Sequence, residues 1–433
     1  MKSLPLRIVR WSAVVAIVLL LTTESHAQLT FENEPINYGQ DLQHDPVAQL
    51  QKELDAGKTK LDYDEDHGYL NSVLEKLNIS PESQVLVYSK TSFQLSRITP
   101  RRPRALYFND KSYIGWVQGG DVLEVMTTDP EQGAIFYTLS QDTDGSPKFI
   151  QDRGQCLSCH ASSRTQNVPG GLVRSAFVNA AGQPHYGSGT FTTDHSSQFQ
   201  DRWGGWYVTG THGAMRHMGN VISKDRDFPE KIDREAGANV TDLTERLDIA
   251  RYLTPHSDIV ALMVLEHQTQ MQNFLTLVNF ETRMAQHHDA VMNKALERSE
   301  DYVSDTTKRR IANACDKLLQ YMLFAEEFPL ESKVEGTSQF AREFAAAGPK
   351  DSQQRSLRDL DLQTRLFRYP CSYLIYSEQF DQLPPPAKSY IARRLQEILE
   401  NGDPDYPHLT PEDRENIREI LTETKPDLWN TKS

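Results

Sequence analysis

Hydrophobic and polar positions alternate differently in successive parts of the chain, and each pattern predicts its own kind of structure. Before residue 84 the apolar positions form short helical runs, and Asp45 followed by Pro46 favours a helix start. From Gln84 onward, short apolar runs are separated by turn signals, which is typical of an antiparallel sheet. The runs that predict strands are Val85–Tyr88, Leu106–Phe108, Tyr113–Val117, Val122–Met126 and Ala134–Leu139.

Residues 151–220 are rich in Gly, Ser, Thr, Asn and Gln, which predicts turns with two short strands at Leu172–Val178 and Trp206–Thr209. After Pro255 the apolar spacing becomes helical. The predicted helices cover 255–296, 305–324, 386–400 and 411–424. The pattern therefore predicts an α+β protein with a small antiparallel sheet, a loop-rich segment and a helical C-terminal half.

The first 27 residues have the pattern of a secretory signal peptide. A basic start precedes the apolar run Trp11–Leu21, and small residues allow cleavage between Ala27 and Gln28. An uncleaved anchor is the alternative, but the run is short of the ~20 residues that span a bilayer. The predicted organisation is a signal peptide (1–27), a helical segment (28–83), a β unit (84–150), a loop-rich segment (151–220) and a helical region (221–433).

Cleavage would leave 406 of the 433 residues and move the formal charge from −14 to −16, because three basic residues and one acidic residue are lost. A chain this acidic is a poor candidate for binding nucleic acid. After the signal peptide no segment is apolar and long enough to span a membrane. Four cysteines are too few for a disulfide scaffold.

Two of those cysteines lie in Cys156-Leu157-Ser158-Cys159-His160, a C-x-x-C-H motif. In this signature both thiols attach a haem c covalently and the histidine binds the iron as proximal ligand. A structural disulfide, a thioredoxin-like pair and half of a zinc site are the alternatives. The flanking residues do not suggest a βαβ unit, and a second C-x-x-C is absent from the sequence. The sequence predicts one covalent haem c.

The stretch Gln155–His160 and the stretch Arg202–Gly213, which reads RWGGWYVTGTHG, resemble exported single-haem c-type cytochromes of bacteria. The resemblance is strongest over about 84–300. It implies a haem and a location outside the cytoplasm, and it implies no particular reaction. The length and the non-helical haem segment differ from small cytochromes c.

The second axial ligand of the iron is predicted to be His217 or Met218, since imidazole and thioether both suit haem iron. These residues follow His160 by a separation that resembles the distal-Met spacing of small cytochromes c. For each candidate the alternative is an ordinary surface or core residue. The further candidates are His212, Met215, His185, His195 and His267.

Aromatic and basic residues near the motif are candidates for the walls of a haem crevice. Trp203, Trp206 and Tyr207 can pack on a porphyrin, or can be ordinary core aromatics. Three arginines are candidates for pairing with haem propionates, with solvated surface as the alternative. They are Arg153, Arg174 and Arg202.

These features predict a periplasmic or otherwise extracytoplasmic monohaem cytochrome that exchanges single electrons with redox partner proteins. A haem enzyme, such as a peroxidase or an oxidase of a small substrate, and a haem-based redox or gas sensor are the alternatives, because the chain is larger than a carrier needs. Cys315 and Cys371 can form a disulfide or remain buried thiols.

Overall fold

The computed structural model describes residues 30–42, 44–152, 154–185 and 187–430. In this part of the chain a six-stranded antiparallel sheet precedes a largely helical C-terminal half, so the α+β prediction is confirmed. The predicted signal peptide, 1–27, and its cleavage site lie outside the described residues.

The main sheet is a meander in which each strand pairs with the next along the chain. Five of its strands overlap the predicted runs, and the sixth lies outside them. The strands are β1 (Val85–Val87), β2 (Arg104–Phe108), β3 (Ser112–Trp116), β4 (Val122–Asp129), β5 (Gly133–Ser140) and β6 (Phe149–Gln151).

Two small sheets accompany the main one. Their strands are β7 (Val173–Ala176), which pairs with β8 (Thr190–Thr193), and β9 (Gly210–Thr211), which pairs with β10 (Glu335–Gly336). The predicted strand over 206–209 is wrong: Trp206 forms an isolated bridge with Val87 at the free edge of β1.

The helices follow the predicted positions within a few residues, and three short ones were not predicted. They are α1 (Pro46–Asp55), α2 (Leu70–Lys76), α3 (Leu157–His160), α4 (Ile259–Ala295), α5 (Asp305–Met322), α6 (Phe340–Ala346), α7 (Glu378–Asp381), α8 (Pro385–Asn401) and α9 (Pro411–Thr424). Asp45 caps α1 by accepting a hydrogen bond from the Ala48 N–H, as its sequence position suggests. Within the described residues, no helix combines the length and the apolar character needed to cross a membrane.

The two faces of the main sheet have different surroundings. The inner face packs in one apolar cluster with α1 and α2, to which Tyr107, Ile114 and Val125 contribute. The outer face meets the 37-residue helix α4 at one end, where Phe108 and Tyr113 join the large cluster built around that helix. A smaller cluster packs α3 against β5 and α4. This arrangement places the C-x-x-C-H motif beside the outer face of the sheet.

Candidate haem-attachment site

The motif forms the short helix α3 directly after the last strand of the sheet. The Asp152 carboxylate accepts hydrogen bonds from the backbone N–H groups of Gly154 and Cys156, at 3.0 and 2.9 Å, which shapes the turn into the helix. Leu157 is buried in the small cluster, whereas Cys156 is half-buried and Cys159 is exposed. Both thiols are free in the structure and therefore chemically available.

The hydrogen bond of His160 fixes which of its ring nitrogens carries the proton. Its Nδ1 lies 2.8 Å from the carbonyl oxygen of Gly170. Because a carbonyl oxygen only accepts, Nδ1 must donate, and the neutral ring then has its lone pair on Nε2. Histidines that bind metals almost always donate their other N–H in this way. The Nε2 atom of His160 is thus prepared to bind an iron.

Two further contacts hold His160 in place. Its ring packs against Phe136 of β5 with a centroid separation of 4.9 Å. Gly170 approaches α4 so closely that a Cβ atom there would lie 1.9 Å from the Asn273 Oδ1, so a larger residue would displace the carbonyl that orients the imidazole. His160 is therefore positioned by a strand, a turn and a helix together.

Burial sets the protonation of both reactive groups at the site. Loss of solvation lowers the pKa of His160, so the ring is neutral and able to bind a metal at neutral pH. Burial and the neighbouring Asp152 raise the pKa of the Cys156 thiol to about 12. Cys156 is therefore a protonated thiol at neutral pH, and not a thiolate of the kind that redox enzymes use.

The segment 210–219, here called the histidine loop, contains two buried imidazoles with a different pattern of hydrogen bonds. Nδ1 of His217 accepts from the Gly219 N–H at 2.9 Å, and Nε2 of His212 accepts from the Asn239 N–H at 3.0 Å. The neutral rings must therefore carry their protons on the other nitrogens, which have no partner among the described residues. In this state neither ring offers a free lone pair.

The histidine loop and His160 lie beside different levels of α4. His160 bonds to Gly170, which adjoins Asn273, whereas the histidine loop adjoins Arg202, whose guanidinium pairs with Glu266 at 3.3 Å. Seven residues of helix separate Asn273 from Glu266, a rise of about 10 Å. In the described part of the chain, no hydrogen bond, ion pair or ring contact joins His160 to residues 212–218.

The prediction of a distal ligand at His217 or Met218 is not tested by these contacts and stays a prediction. The Met218 sulfur accepts a hydrogen bond from the Ser175 hydroxyl at 3.7 Å, and Met215 is buried in the large core. A thioether carries no proton, so Met218 is free of the tautomer restriction that applies to His217.

The other candidate histidines are engaged elsewhere. Nδ1 of His195 lies 2.9 Å from Nδ1 of His267, and Nε2 of His267 bonds to the Ser372 hydroxyl at 2.8 Å. Both rings stack with Phe324 in the core, and burial holds both pKa values well below the usual range. His185 is half-buried and bonds weakly to the Ser223 carbonyl, at 3.4 Å.

The aromatic crevice candidates surround the histidine loop and the sheet edge. Trp203 packs against Phe199 and His217, the Trp206 indole N–H donates to the Arg174 carbonyl, and the Tyr207 hydroxyl donates to the Pro100 carbonyl. These contacts agree with the core alternative.

The three propionate candidates differ in availability. Arg202 is committed to Glu266 and to backbone carbonyls, whereas the Nε of Arg174 is buried without a partner among the described residues. Arg153 lies outside the described residues.

Cys315 and Cys371 are buried free thiols, which answers in favour of thiols the question that the sequence left open.

Among the described residues, no group of three or more His, Cys, Asp or Glu side chains is arranged to hold a metal ion. A haem c needs two thiols and one imidazole, so its attachment does not depend on such a group.

Comparison with models of known protein families, with curated proteins and with solved structures finds no match to this chain.

Several residues of the site were not singled out from the sequence. Asp152, Phe136 and Gly170 shape and orient the motif. The Pro169-Gly170-Gly171 turn, ten residues after the motif, was visible as a turn, but only the fold shows that its carbonyl meets His160. Phe136 could not be assigned this role, because a strand pattern does not reveal which distant side chain a strand residue contacts.

Proposed function

We propose that this chain is an exported c-type cytochrome with one haem, attached through Cys156 and Cys159 and bound at its iron by Nε2 of His160. The observation that carries the proposal is the hydrogen bond from Nδ1 of His160 to the Gly170 carbonyl. It places the lone pair on the nitrogen that must bind iron, at the histidine of a C-x-x-C-H motif. The accessible thiols beside it complete the set of groups that haem c requires.

The residues of the site have separate tasks in this proposal. Each thiol adds across one vinyl group, forming a carbon–sulfur bond while its proton goes to the other vinyl carbon, so no oxidant is consumed. Gly170 and Phe136 hold the imidazole, and Asp152 holds the turn that presents Cys156. When bound, the haem supplies a one-electron couple between ferric and ferrous iron. We propose one-electron exchange with partner proteins outside the cytoplasm as the function.

Covalent attachment is the first test. Produced with haem-maturation machinery, the mature protein should gain the mass of one haem, and the gain should survive denaturation and acid–acetone extraction. The double variant Cys156→Ala/Cys159→Ala should be colourless. The matched control is Cys315→Ala/Cys371→Ala, which removes two buried thiols outside the motif. This variant should keep the haem. A colourless wild-type protein under these conditions would refute the proposal.

A haem enzyme or a gas sensor is the second candidate. It is favoured by one observation, namely that the Gly219 and Asn239 N–H groups occupy the lone pairs of His217 and His212, two of the candidate opposing ligands. A carrier needs an iron with both axial positions filled, whereas an enzyme or sensor needs one that is open or displaceable. A low-spin spectrum in both redox states with no carbon monoxide binding supports the carrier. A high-spin spectrum or rapid carbon monoxide binding supports the second candidate.

A further inference from the structure

One row of side chains crosses the outer face of the sheet and ends in an exposed residue. Leu106, Gly115, Glu124, Thr138 and Ile150 lie opposite one another on five successive strands, so they share this face. Gly115 is buried and Leu106, Glu124 and Thr138 are half-buried, whereas Ile150 at the β6 end is 55% exposed. A lone exposed isoleucine is common on protein surfaces, so what matters here is which other groups lie beside it.

The haem-attachment motif lies directly beside this row. The Asp152 N–H donates to the Phe136 carbonyl at 2.8 Å, so the chain remains paired with β5 until it enters the motif. The His160 ring packs on Phe136, which shares the outer face of β5 with Thr138 of the row, two residues further along the strand. The uncovered end of the sheet and the attachment thiols therefore occupy the same neighbourhood.

The loop at residues 89–98 brings two more exposed apolar side chains to the row. Its anchor is the buried Gln94, whose amide nitrogen donates to the Val122 carbonyl at 3.0 Å and to the Glu124 carboxylate at 3.3 Å. On either side of this anchor, Phe93 and Leu95 are 61% and 52% exposed. Contact between these two side chains and water is unfavourable. A ligand that covered them would stabilise the protein by about 25 cal/mol for each Å² of apolar surface removed from water.

We propose that Phe93, Leu95 and Ile150, here called the apolar rim, cover the porphyrin that is attached to Cys156 and Cys159. This inference rests on the proposed function. The two thiols identify the group that the rim covers, because a porphyrin attached to Cys156 and Cys159 is a large apolar group beside the exposed side chains. The Arg104 guanidinium pairs with Glu124 of the row, and its Nε, which is buried without a partner among the described residues, remains able to donate to a propionate. The rim is thus incomplete without the haem.

Protease cleavage compares the protein with and without its haem. Chymotrypsin cuts after phenylalanine and leucine, so the rates after Phe93 and Leu95 should be at least about tenfold lower in the haem-loaded wild type than in Cys156→Ala/Cys159→Ala. Leu296 and Tyr302, which are 50% and 47% exposed, are control sites and should be cut equally in both. Equal rates at Phe93 and Leu95, or a parallel change at the control sites, would overturn the inference.

The reduction potential provides a second, independent measurement on the loaded protein. Ile150→Ser should keep the covalent haem but lower the midpoint potential, because added water near the iron favours the ferric state. Leu296→Ser removes an equally exposed apolar side chain and should leave the potential unchanged. A colourless wild type refutes the proposed function, whereas a coloured protein with unaltered potential in Ile150→Ser overturns only the apolar rim.

Discussion

The segment around His160 and the histidine loop both hold imidazoles away from water, yet they are prepared for different tasks. In each region burial lowers the pKa of the histidines, so the rings are neutral. At His160 a carbonyl accepts from the ring, and Nε2 is left with a lone pair. At His217 a backbone N–H donates to the ring, and Nε2 is left with the proton.

The difference shows that the hydrogen-bond partner, more than burial or residue type, decides whether a histidine can bind a metal. To bind iron through Nε2, His217 would have to move its proton to Nδ1 and give up the bond from Gly219. His160 needs no such change. The direction of the hydrogen bond therefore leaves His160 with a lone pair for a metal and leaves the histidine loop as a packed part of the core in the present arrangement.

The largest expected effect is a change in the absorption spectrum of the haem, which should distinguish the segment around His160 from the histidine loop. His160→Ala should still allow haem attachment through the thiols but should lose the low-spin absorption of the wild type, because the proximal ligand is gone. His217→Asn, which keeps an acceptor for the Gly219 N–H, should retain the wild-type spectrum. Met218→Leu, which conserves volume, removes a thioether that needs no change of proton to bind iron, and loss of the low-spin signal there is the result that the distal-ligand prediction requires.

The two outcomes for the histidine loop have different meanings. Loss of the low-spin signal in His217→Asn or in Met218→Leu would identify that residue as the distal ligand and would erase the contrast between the regions. Retention in both variants directs the search for an axial ligand away from residues 212–218.

The next effect tests whether the histidine loop is held by core interactions alone. The Arg202 guanidinium pairs with the buried Glu266 and donates to the His195 carbonyl at 2.9 Å, while its backbone carbonyl accepts from the Met218 N–H. Burial raises the pKa of Glu266 to about 7, so without Arg202 this carboxyl takes up a proton, and the lost hydrogen bonds of Arg202→Met should lower the free energy of unfolding by about 1–3 kcal/mol in denaturant titrations.

The control for Arg202 is a pair at the surface. Arg97 pairs with Asp121 in solvent, and Arg97→Met should cost at most about 1 kcal/mol. Covalent haem should be retained in both variants. If Arg202→Met folds normally but fails to take up haem, the histidine loop contributes to the haem site after all.

The comparison also shows which parts of the molecule the sequence could predict. Periodicity identified five of the six strands of the meander and helices such as α4 and α5, because each buries one face of a regular element. The motif identified Cys156, Cys159 and His160 by residue type and spacing. These features depend on residues that are close in the sequence.

What sequence reasoning missed depends on contacts between distant residues. The tautomer of His160 follows from the carbonyl of Gly170, and that of His212 from the N–H of Asn239, 27 positions away. Residue type and position made His217 and His212 candidates for the second axial ligand, since spacing does not reveal the direction of a hydrogen bond. The strand expected over 206–209 failed for a related reason, because Trp206 makes only an isolated bridge to Val87.

The smallest expected effect is the dependence of stability on pH that comes from His217. Burial, with smaller contributions from His212 and Arg216, holds the pKa of His217 well below the value of about 6.5 expected in the unfolded chain. The unfolded state therefore binds more protons as the pH falls, so this stabilising contribution is complete above pH 6.5 and decreases below it. Each unit by which the pKa is lowered corresponds to about 1.4 kcal/mol.

Unfolding free energies of wild type and His217→Asn, measured from pH 7.5 to 5, should differ least at the acidic end, because only the wild type loses this contribution. A constant difference would show that His217 is not held neutral by burial, and the proton assignment that separates the two regions would then be wrong.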